Sequence, residues 1–427
     1  MEGFNYGTVA TIIRGLCINT IEYPWVVVES LPEEKEVPPE ALTVDIVAAG
    51  AYDSSDEDTL VKILREAFAA WAFEMAPAGV EAAVKSSISK KLPSCVAVKE
   101  GDKVEVFFWI DRDIDAARNR IAERNGTLLE EKNAPLPRGS QTASAEMHAA
   151  RRANVARNKI ALVTGGAQGV GEEIVRGLAV SGALVFIADV NAGESEDLAK
   201  KINALEKRTA AIGLNVDVSD EASVEAMFES VAKTAGGLDI CVSNAGILKA
   251  GGILEQDLAS FKNVTDVNYT GFFLVSKYAG ILLRRQHFVA AHWKTDIIQI
   301  NSKSGLEGSY KNGAYAGGKF GGIGLIESFA LELVNYNIKV NAICPGNFFD
   351  APLWSDPEKG LFIQYLRAGK VPGAKTTADI RAHYEAKVPM KRGCTGADVL
   401  RALYYIIEQE YETGQAVPVT GGQVMLH

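Results

Sequence analysis

The fold is decided between Lys159 and Val190, in the run KIALVTGGAQGVGEEIVRGLAVSGALVFIADV. Ile160 to Val163 is a short β-branched and aliphatic stretch, as a buried parallel strand requires. Thr164, Gly165, Gly169 and Gly171 follow as TGxxxGxG, with Gln168 and Val170 in the same loop. A helix is predicted from about Glu172 through Leu178, closing near Gly182. Glycines let the backbone turn tightly and approach a pyrophosphate, which then rests on the helix N-terminus. The next strand, Leu184 to Ala188, ends in Asp189 and Val190. A carboxylate at that point accepts hydrogen bonds from both hydroxyls of a ribose and repels a 2′-phosphate. No Arg or Lys occupies the glycine loop or directly follows Asp189. The expected cofactor is therefore NAD rather than NADP.

Downstream, strand and helix alternate: a strand at 238–242, a helix around 258–285, a strand at 296–301, a helix through 314–334 and a strand at 338–343. This predicts an α/β, Rossmann-type doubly wound parallel sheet, with ligands outside the C-terminal strand ends. Ser302 lies in IIQINSKSG, and Tyr315 and Lys319 lie four residues apart in GAYAGGKFGG. Residues at i and i+4 share a helix face. A free tyrosine, with a pKa of about 10, is a poor base at neutral pH. A nearby ammonium favours the phenolate and lowers that value. Tyr315 is then able to take a proton from an alcohol or give one to a carbonyl, with Ser302 hydrogen-bonded to the same oxygen. A YxxxK spacing alone is weak evidence; its weight comes from the nucleotide loop upstream.

Residues 158–427 resemble the short-chain dehydrogenase/reductase family along their whole length. The matching strings are TGGAQGVG at 164–171, Asp217-Val218, SNAG at 243–246, Asn268 in DVNYTG, Ser302, Tyr315, Lys319 and CPG at 344–346. The resemblance implies that Asp217 and Val218 border the adenine. It places Asn244, Ala245 and Gly246 in support of the central sheet and cofactor, and Pro345 and Gly346 beside the nicotinamide. Asn268 would hold a water in a proton relay to Lys319, which also holds the nicotinamide ribose. The chain departs from the family pattern at Ser243, where Asn is usual. It also lacks, in PGNFFDAPLW, the Thr that commonly touches the carboxamide.

A narrower resemblance, to the bacterial sorbitol-6-phosphate 2-dehydrogenases within that family, lies in IIQINSKSG, YAGGKFGGIGL, KVPMKRGC and VTGGQVM. It implies NAD-dependent interconversion of sorbitol 6-phosphate and fructose 6-phosphate. Relatives acting on unphosphorylated polyols or sugars share such strings, and a non-catalytic NAD(H) sensor is the alternative of a different class. A phosphate would need cations near Ser302 and Tyr315. Lys303 is the first candidate, followed by Lys249, Lys311, Lys391 and Arg392. Glu307 and Asn347 are candidates for polyol hydroxyls. Trp354, Phe348 and Phe349 fall where the family has a mobile substrate loop, with core packing as the competing reading. His287 and His292 stand with no other ligand, and no metal is expected. The family implies a homo-oligomer, dimer or tetramer.

In front of this unit the sequence divides into an α+β accessory domain at 1–132 and a linker at 133–157. VATIIRGL, YPWVVVES and LTVDIVAAG carry β-branched runs; Glu57 to Met75 and Ala78 to Ser89 are predicted helices. CVAVKEGDKVEVFFWI predicts a hairpin across Gly101-Asp102, and DIDAARNRIAERNG a helix. The segment 1–147 contains no histidine, which excludes a clustered-His zinc site there. Its expected role is an accessory that helps assembly or covers the active site, with a regulatory or metabolite-binding role as the alternative.

With 427 residues, 47% apolar content and 23% charge, the chain has an ordinary globular composition and the length of two domains. A net charge of −10 argues against nucleic acid as a partner. The five cysteines are scattered without a CxxC. Neither the N-terminus nor the apolar stretch at 67–79, interrupted by Glu74 and Pro77, predicts a signal peptide or membrane span. The expected location is cytoplasmic, and the expected partner a small polyol or sugar phosphate.

Overall fold

The computed structural model describes residues 6–18, 25–30, 41–45, 57–74, 95–100, 103–111, 114–124 and 155–425. Two units emerge. One comprises Met1–Ser140 with Phe228–Leu238 and Ile281–Trp293; the other comprises Gln141–Met227, Asp239–Gly280 and Lys294–His427. The predicted helix at 78–89 and residues 133–154 of the predicted linker lie outside the described residues.

The first unit carries α1 (Tyr6–Ile18), β1 (Trp25–Ser30), β2 (Leu42–Asp45), α2 (Glu57–Glu74), β3 (Cys95–Glu100), β4 (Lys103–Asp111) and α3 (Ile114–Arg124). Its four strands run in the order β1-β4-β3-β2, with β3 and β4 paired antiparallel and β2 parallel to β3. Of the three β-branched runs, the second and third supply strands, but VATIIRGL lies in α1. Its Val9, Ile12 and Ile13 pack with Leu60, Leu64 and Phe108, so tertiary burial overrides the strand preference of branched side chains. Arg14, also on α1, is buried and donates from Nη1 to Oε1 of Gln286 at 3.1 Å.

The second unit contains β5 (Ile160–Thr164), α4 (Gly169–Val180), β6 (Leu184–Asp189), α5 (Ala192–Glu206) and β7 (Ala211–Asn215). Next come α6 (Glu221–Ala235), β8 (Ile240–Ser243), α7 (Leu258–Thr265), α8 (Gly271–Val289) and β9 (Thr295–Ile300). α6 and α8 run on into the segments assigned to the first unit. The chain continues through α9 (Gly313–Leu333), β10 (Ile338–Pro345), three shorter helices α10 (Pro352–Ser355), α11 (Leu361–Arg367) and α12 (Thr377–Ala386), then α13 (Gly396–Glu408) and β11 (Ala416–Val419).

The seven strands pair in parallel in the order β11-β10-β9-β8-β5-β6-β7. β5, β6, β8, β9 and β10 are buried along their whole length, which explains their near-continuous apolar sequences. The expected doubly wound sheet is present. Strand order reverses between β5 and β8, and a ligand crevice opens beyond the C-terminal ends of strands at such a point.

Two boundaries differ from the sequence reading. α4 begins at Gly169, not near Glu172, so the last two loop glycines form its first turn. The helix expected over 258–285 is broken by a π-turn at Asp266–Thr270 and continues to Val289. A π-turn inserts one extra residue and re-aims its side chains. Here it turns Asn268 onto the backbone of Ile247, described next.

Candidate active site

The glycine loop works by close approach. Gly165 and Gly169 both adopt φ of +60°, a conformation that favours glycine. A Cβ on Gly171 would stand 2.1 Å from the carbonyl oxygen of Gly165, so the first turn of α4 closes on the end of β5 only without a side chain. Asn244 holds this arrangement. Its Nδ2 donates to the carbonyls of Thr164 at 3.0 Å and Gly165 at 2.8 Å. Thr164 replies, its Oγ1 accepting from the backbone N–H groups of Asn244 and Ala245 at 3.1 and 3.2 Å. The ends of β5 and β8 are thus tied together at the switch point.

Asp189 ends β6 with its side chain buried. One carboxylate oxygen accepts from the N–H of Ala167 at 3.2 Å, the other from that of Asn191 at 3.2 Å. Each oxygen keeps a lone pair, and Asp189 lines the same cleft as Gly169, Asp217, Ser302 and Tyr315. That cleft has a volume of about 1820 Å³.

Ser302 caps a short 3-10 turn at Lys303–Gly305, its Oγ accepting from the N–H of Ser304 at 3.1 Å. Ser302 and the Tyr315 phenol line one cleft, near enough for the serine hydroxyl to favour the phenolate. Asn301 fixes the two elements that carry this pair: its Oδ1 accepts from the Ser302 N–H at 2.8 Å, and its Nδ2 donates to the Lys319 carbonyl at 2.9 Å. Lys319 is buried behind Tyr315, with Nζ 5.6 Å from the ring centroid and donating to the Ile300 carbonyl at 2.8 Å. Burial brings its ammonium down to about 8, with the Cys344 sulfur acting in the other direction.

The phenol itself departs from expectation. Burial pushes the Tyr315 pKa up from its ordinary value, and the neighbouring Ser302 hydroxyl offsets this only in part. Desolvation of the phenolate is the larger effect. Asn268 differs too. Its side chain hooks both backbone groups of Ile247, accepting from N–H at 2.9 Å and donating to C=O at 2.7 Å. The amide is thereby committed to holding the loop after β8, and any water it orders would be met by its backbone.

The chain also fits a nicotinamide where the missing Thr left a gap. Two buried polar atoms beside Pro345 and Gly346 have no hydrogen-bond partner: Nδ2 of Asn347, a donor, and Oε1 of Gln423, an acceptor. Gln423 Oε1 lies 3.0 Å from where a Gly346 Cβ would stand. A carboxamide presents the complementary pair, an oxygen and an NH₂ group. Asn347 was singled out from the sequence; Gln423 was not, because no spacing links it to Gly346.

On the substrate side, the predicted cations are mostly engaged. Lys303 pairs with Glu307 at 2.9 Å, joining two residues predicted separately. Lys311 donates to the Ala368 carbonyl at 3.0 Å, and Lys391 to that of Ala386 at 3.0 Å. Arg392 forks onto Asp398 at 2.6 and 3.1 Å. Lys249 lines the cleft. Three lysines with no sequence signal, Lys359, Lys370 and Lys387, line it as well. Phe349 and Trp354 follow the core-packing reading: their rings meet edge to face at 5.0 Å in a cluster with Phe362 and Tyr365. Phe348 lines the cleft. Among the described residues no cluster of His, Cys, Asp and Glu side chains has metal-binding spacing.

A family profile described as short chain dehydrogenase matches residues 159–357. Sorbitol-6-phosphate 2-dehydrogenase of Escherichia coli is 38% identical over 271 residues, 63% of this chain and 99% of that protein. The chain belongs to the short-chain dehydrogenase family. Among solved structures, sorbitol-6-phosphate 2-dehydrogenase SrlD from Erwinia amylovora is similar at 40% identity and a TM-score of 0.57, covering 62% of this chain and all of that one. An actinorhodin polyketide ketoreductase solved with NADPH is similar at 27% identity and a TM-score of 0.55, over 62% of this chain and 97% of that one. The chain is therefore an oxidoreductase of this family with a nicotinamide-cofactor fold. Among the described residues no helix is long and apolar enough to cross a membrane.

Proposed function

We propose that this short-chain dehydrogenase interconverts a sugar-alcohol phosphate and a keto-sugar phosphate, sorbitol 6-phosphate and fructose 6-phosphate, with NAD. The observation that carries the reaction type is the convergence of Ser302 and Tyr315 on one cleft, with Lys319 buried behind the phenol on the same helix. The narrower substrate rests on the relatives at 38% and 40% identity.

The substrate C2 hydroxyl sits between Ser302 and Tyr315. Ser302 donates to its oxygen, and the phenolate of Tyr315 takes its proton. Bound NAD supplies the hydride acceptor and a positive charge close to the phenol, which opposes the upward effect of burial. Lys319 stands ready to hold the nicotinamide ribose and, in the direction of carbonyl reduction, to return a proton to Tyr315. Gly165, Gly169 and Gly171 bring the backbone to the pyrophosphate; Gln168 and Val170 complete the loop. Asp189 accepts from the adenosine ribose, with Val190 beside it, while Asp217 and Val218 border the adenine. Pro345 and Gly346 face the nicotinamide. The enzyme works as a homo-oligomer.

The test is NADH formation from sorbitol 6-phosphate, mannitol 6-phosphate and free sorbitol at equal concentration, by wild type and Tyr315→Phe. Preference for sorbitol 6-phosphate, abolished in Tyr315→Phe with NADH binding retained, is expected. Turnover of free sorbitol alone would discard the phosphorylated substrate, and full activity in the variant would discard Tyr315 as the base.

A further inference from the structure

We propose that Lys370 and Lys387, joined by Lys303, form the subsite that takes the substrate's phosphate monoester. This rests on the reading of the substrate as a phosphorylated polyol, and it names residues for which the sequence offers no motif.

The three lysines line one cleft with Ser302 and Tyr315. Lys303 directly follows Ser302. Lys370 stands over the Tyr365 ring with Nζ 3.8 Å from its centroid. In the amide orientation that satisfies all its neighbours, Asn312 accepts from Lys370 Nζ at 2.9 Å and from the Tyr365 hydroxyl at 2.8 Å. Asn312 is the N-cap residue of α9, the helix that carries Tyr315. The head of Lys370 is thus anchored to the same element as the reacting phenol. Lys387 completes the group, Nζ 5.4 Å from the Tyr384 ring, and that ring packs 5.5 Å from Tyr365. Two aromatic faces therefore aim two ammonium groups into one end of the cleft.

The charges there are not balanced. Among the described residues neither Lys370 nor Lys387 forms an ion pair with a carboxylate, and Glu307 is committed to Lys303. Burial, then the like charges of Lys303 and Lys387, bring the Lys370 ammonium down to about 7. A cluster of like charges in a partly dry cleft is unfavourable until an anion enters. Lysines bind phosphate as point charges, and hydrogen bonds to ionised groups are about twice as strong as neutral ones. A polyol held by its C2 hydroxyl at Ser302 and Tyr315 carries its phosphate at the far end of the same chain, and this cluster offers that end a counter-charge.

The experiment uses the full chain with saturating cofactor. The ratio of kcat/KM for sorbitol 6-phosphate to that for free sorbitol is measured for wild type, Lys370→Met, Lys370→Arg and Lys387→Met. Inorganic phosphate binding to the NADH-loaded chain is measured alongside by calorimetry. The ratio is expected to fall about 10- to 100-fold in Lys370→Met, from loss of a hydrogen bond to an ionised group. Lys370→Arg should restore part of it, and Lys387→Met should lower it less. Phosphate binding should weaken in the same order. A wild type that prefers sorbitol 6-phosphate, with a ratio unmoved in both Met variants, overturns the subsite while leaving the proposed substrate intact. A wild type indifferent to the two polyols overturns the proposed substrate; phosphate binding lost in Lys370→Met would then still support the subsite. Should Lys370→Met fail to fold, the exposed Lys387→Met decides by the same two readouts.

Discussion

Replacing Asp189 by Asn tests the cofactor preference with a change of one charge and almost no volume. Both carboxylate oxygens accept a backbone hydrogen bond, from Ala167 at 3.2 Å and Asn191 at 3.2 Å. An asparagine has only one acceptor oxygen, so its NH₂ group must face one of those N–H donors. Leaving a buried donor unsatisfied costs about 1–3 kcal/mol, a loss expected in global stability. The second consequence is selectivity. A ribose diol donating to an ionised carboxylate gains about 1.5–3 kcal/mol. A 2′-phosphate removes one hydroxyl and brings about 1.5 to 2 negative charges to the same carboxylate. At an effective dielectric constant near 20, one pair of unit charges about 4 Å apart repels by about 4 kcal/mol. Wild type should therefore bind NADH at least 10³-fold more tightly than NADPH. Asp189→Asn should bring that ratio within about tenfold of unity, by relieving the repulsion of NADPH as well as by weakening NADH. The assay is titration of protein fluorescence with each reduced cofactor at physiological salt, with a urea melt for stability. A wild type that binds both equally, or a variant that keeps the wild-type ratio, refutes the reasoning.

Asn347→Ala and Gln423→Leu should each weaken NADH about 3- to 10-fold, one neutral hydrogen bond apiece, yet leave ADP-ribose, which lacks the carboxamide, unaffected in the same titration; equal losses for both ligands would dismiss the carboxamide contact. The raised phenol of Tyr315 sets a pH dependence of definite sign. Oxidation of the alcohol needs the phenolate, so its kcat should climb as pH rises toward the phenol's pKa. Carbonyl reduction needs the phenol, so it should persist at lower pH. Initial-rate profiles in both directions read this, and two profiles with the same limb would contradict it. Lys339 forms a buried pair with Asp296 at 2.9 Å and also donates to the Ile406 and Gln409 carbonyls. Lys339→Met should lower stability by about 3–5 kcal/mol, against under about 1 kcal/mol for Lys200→Ala in the exposed pair with Asp197. Urea melts compare the two, and equal losses would place the buried pair's value in doubt.

The nucleotide half of the site was legible in the sequence because its chemistry is local. The glycine loop spans eight consecutive residues, and its glycines are required by backbone geometry within a few positions: φ of +60° at Gly165 and Gly169, and contact with the Gly165 carbonyl at Gly171. Asp189 was legible for the same reason, as the residue that ends the adjacent strand. Tyr315 and Lys319 share one helix turn, so their pairing follows from helical periodicity. At the charged end of the cleft only Lys303 was legible, because it directly follows Ser302. Lys370 and Lys387 belong to two other segments, and no period links them to it.

What the sequence by itself determined is the parallel sheet and its glycine loop, and it singled out the residues proposed for proton transfer, since buried strands and tight turns constrain residue type directly. The tertiary structure alone decided which way the balances fall. Desolvation sets the sign of the Tyr315 shift, because burial is a property of the packed chain and not of spacing. Packing sends VATIIRGL into a helix and Trp354 into a core cluster. The π-turn commits the Asn268 side chain to Ile247. Tertiary contacts also engage Lys311, Lys391 and Arg392 elsewhere, while Lys370 and Lys387 converge on the cleft without a carboxylate partner among the described residues. Electrostatic pairing depends on distances of a few ångströms between remote segments, and only the folded chain sets them.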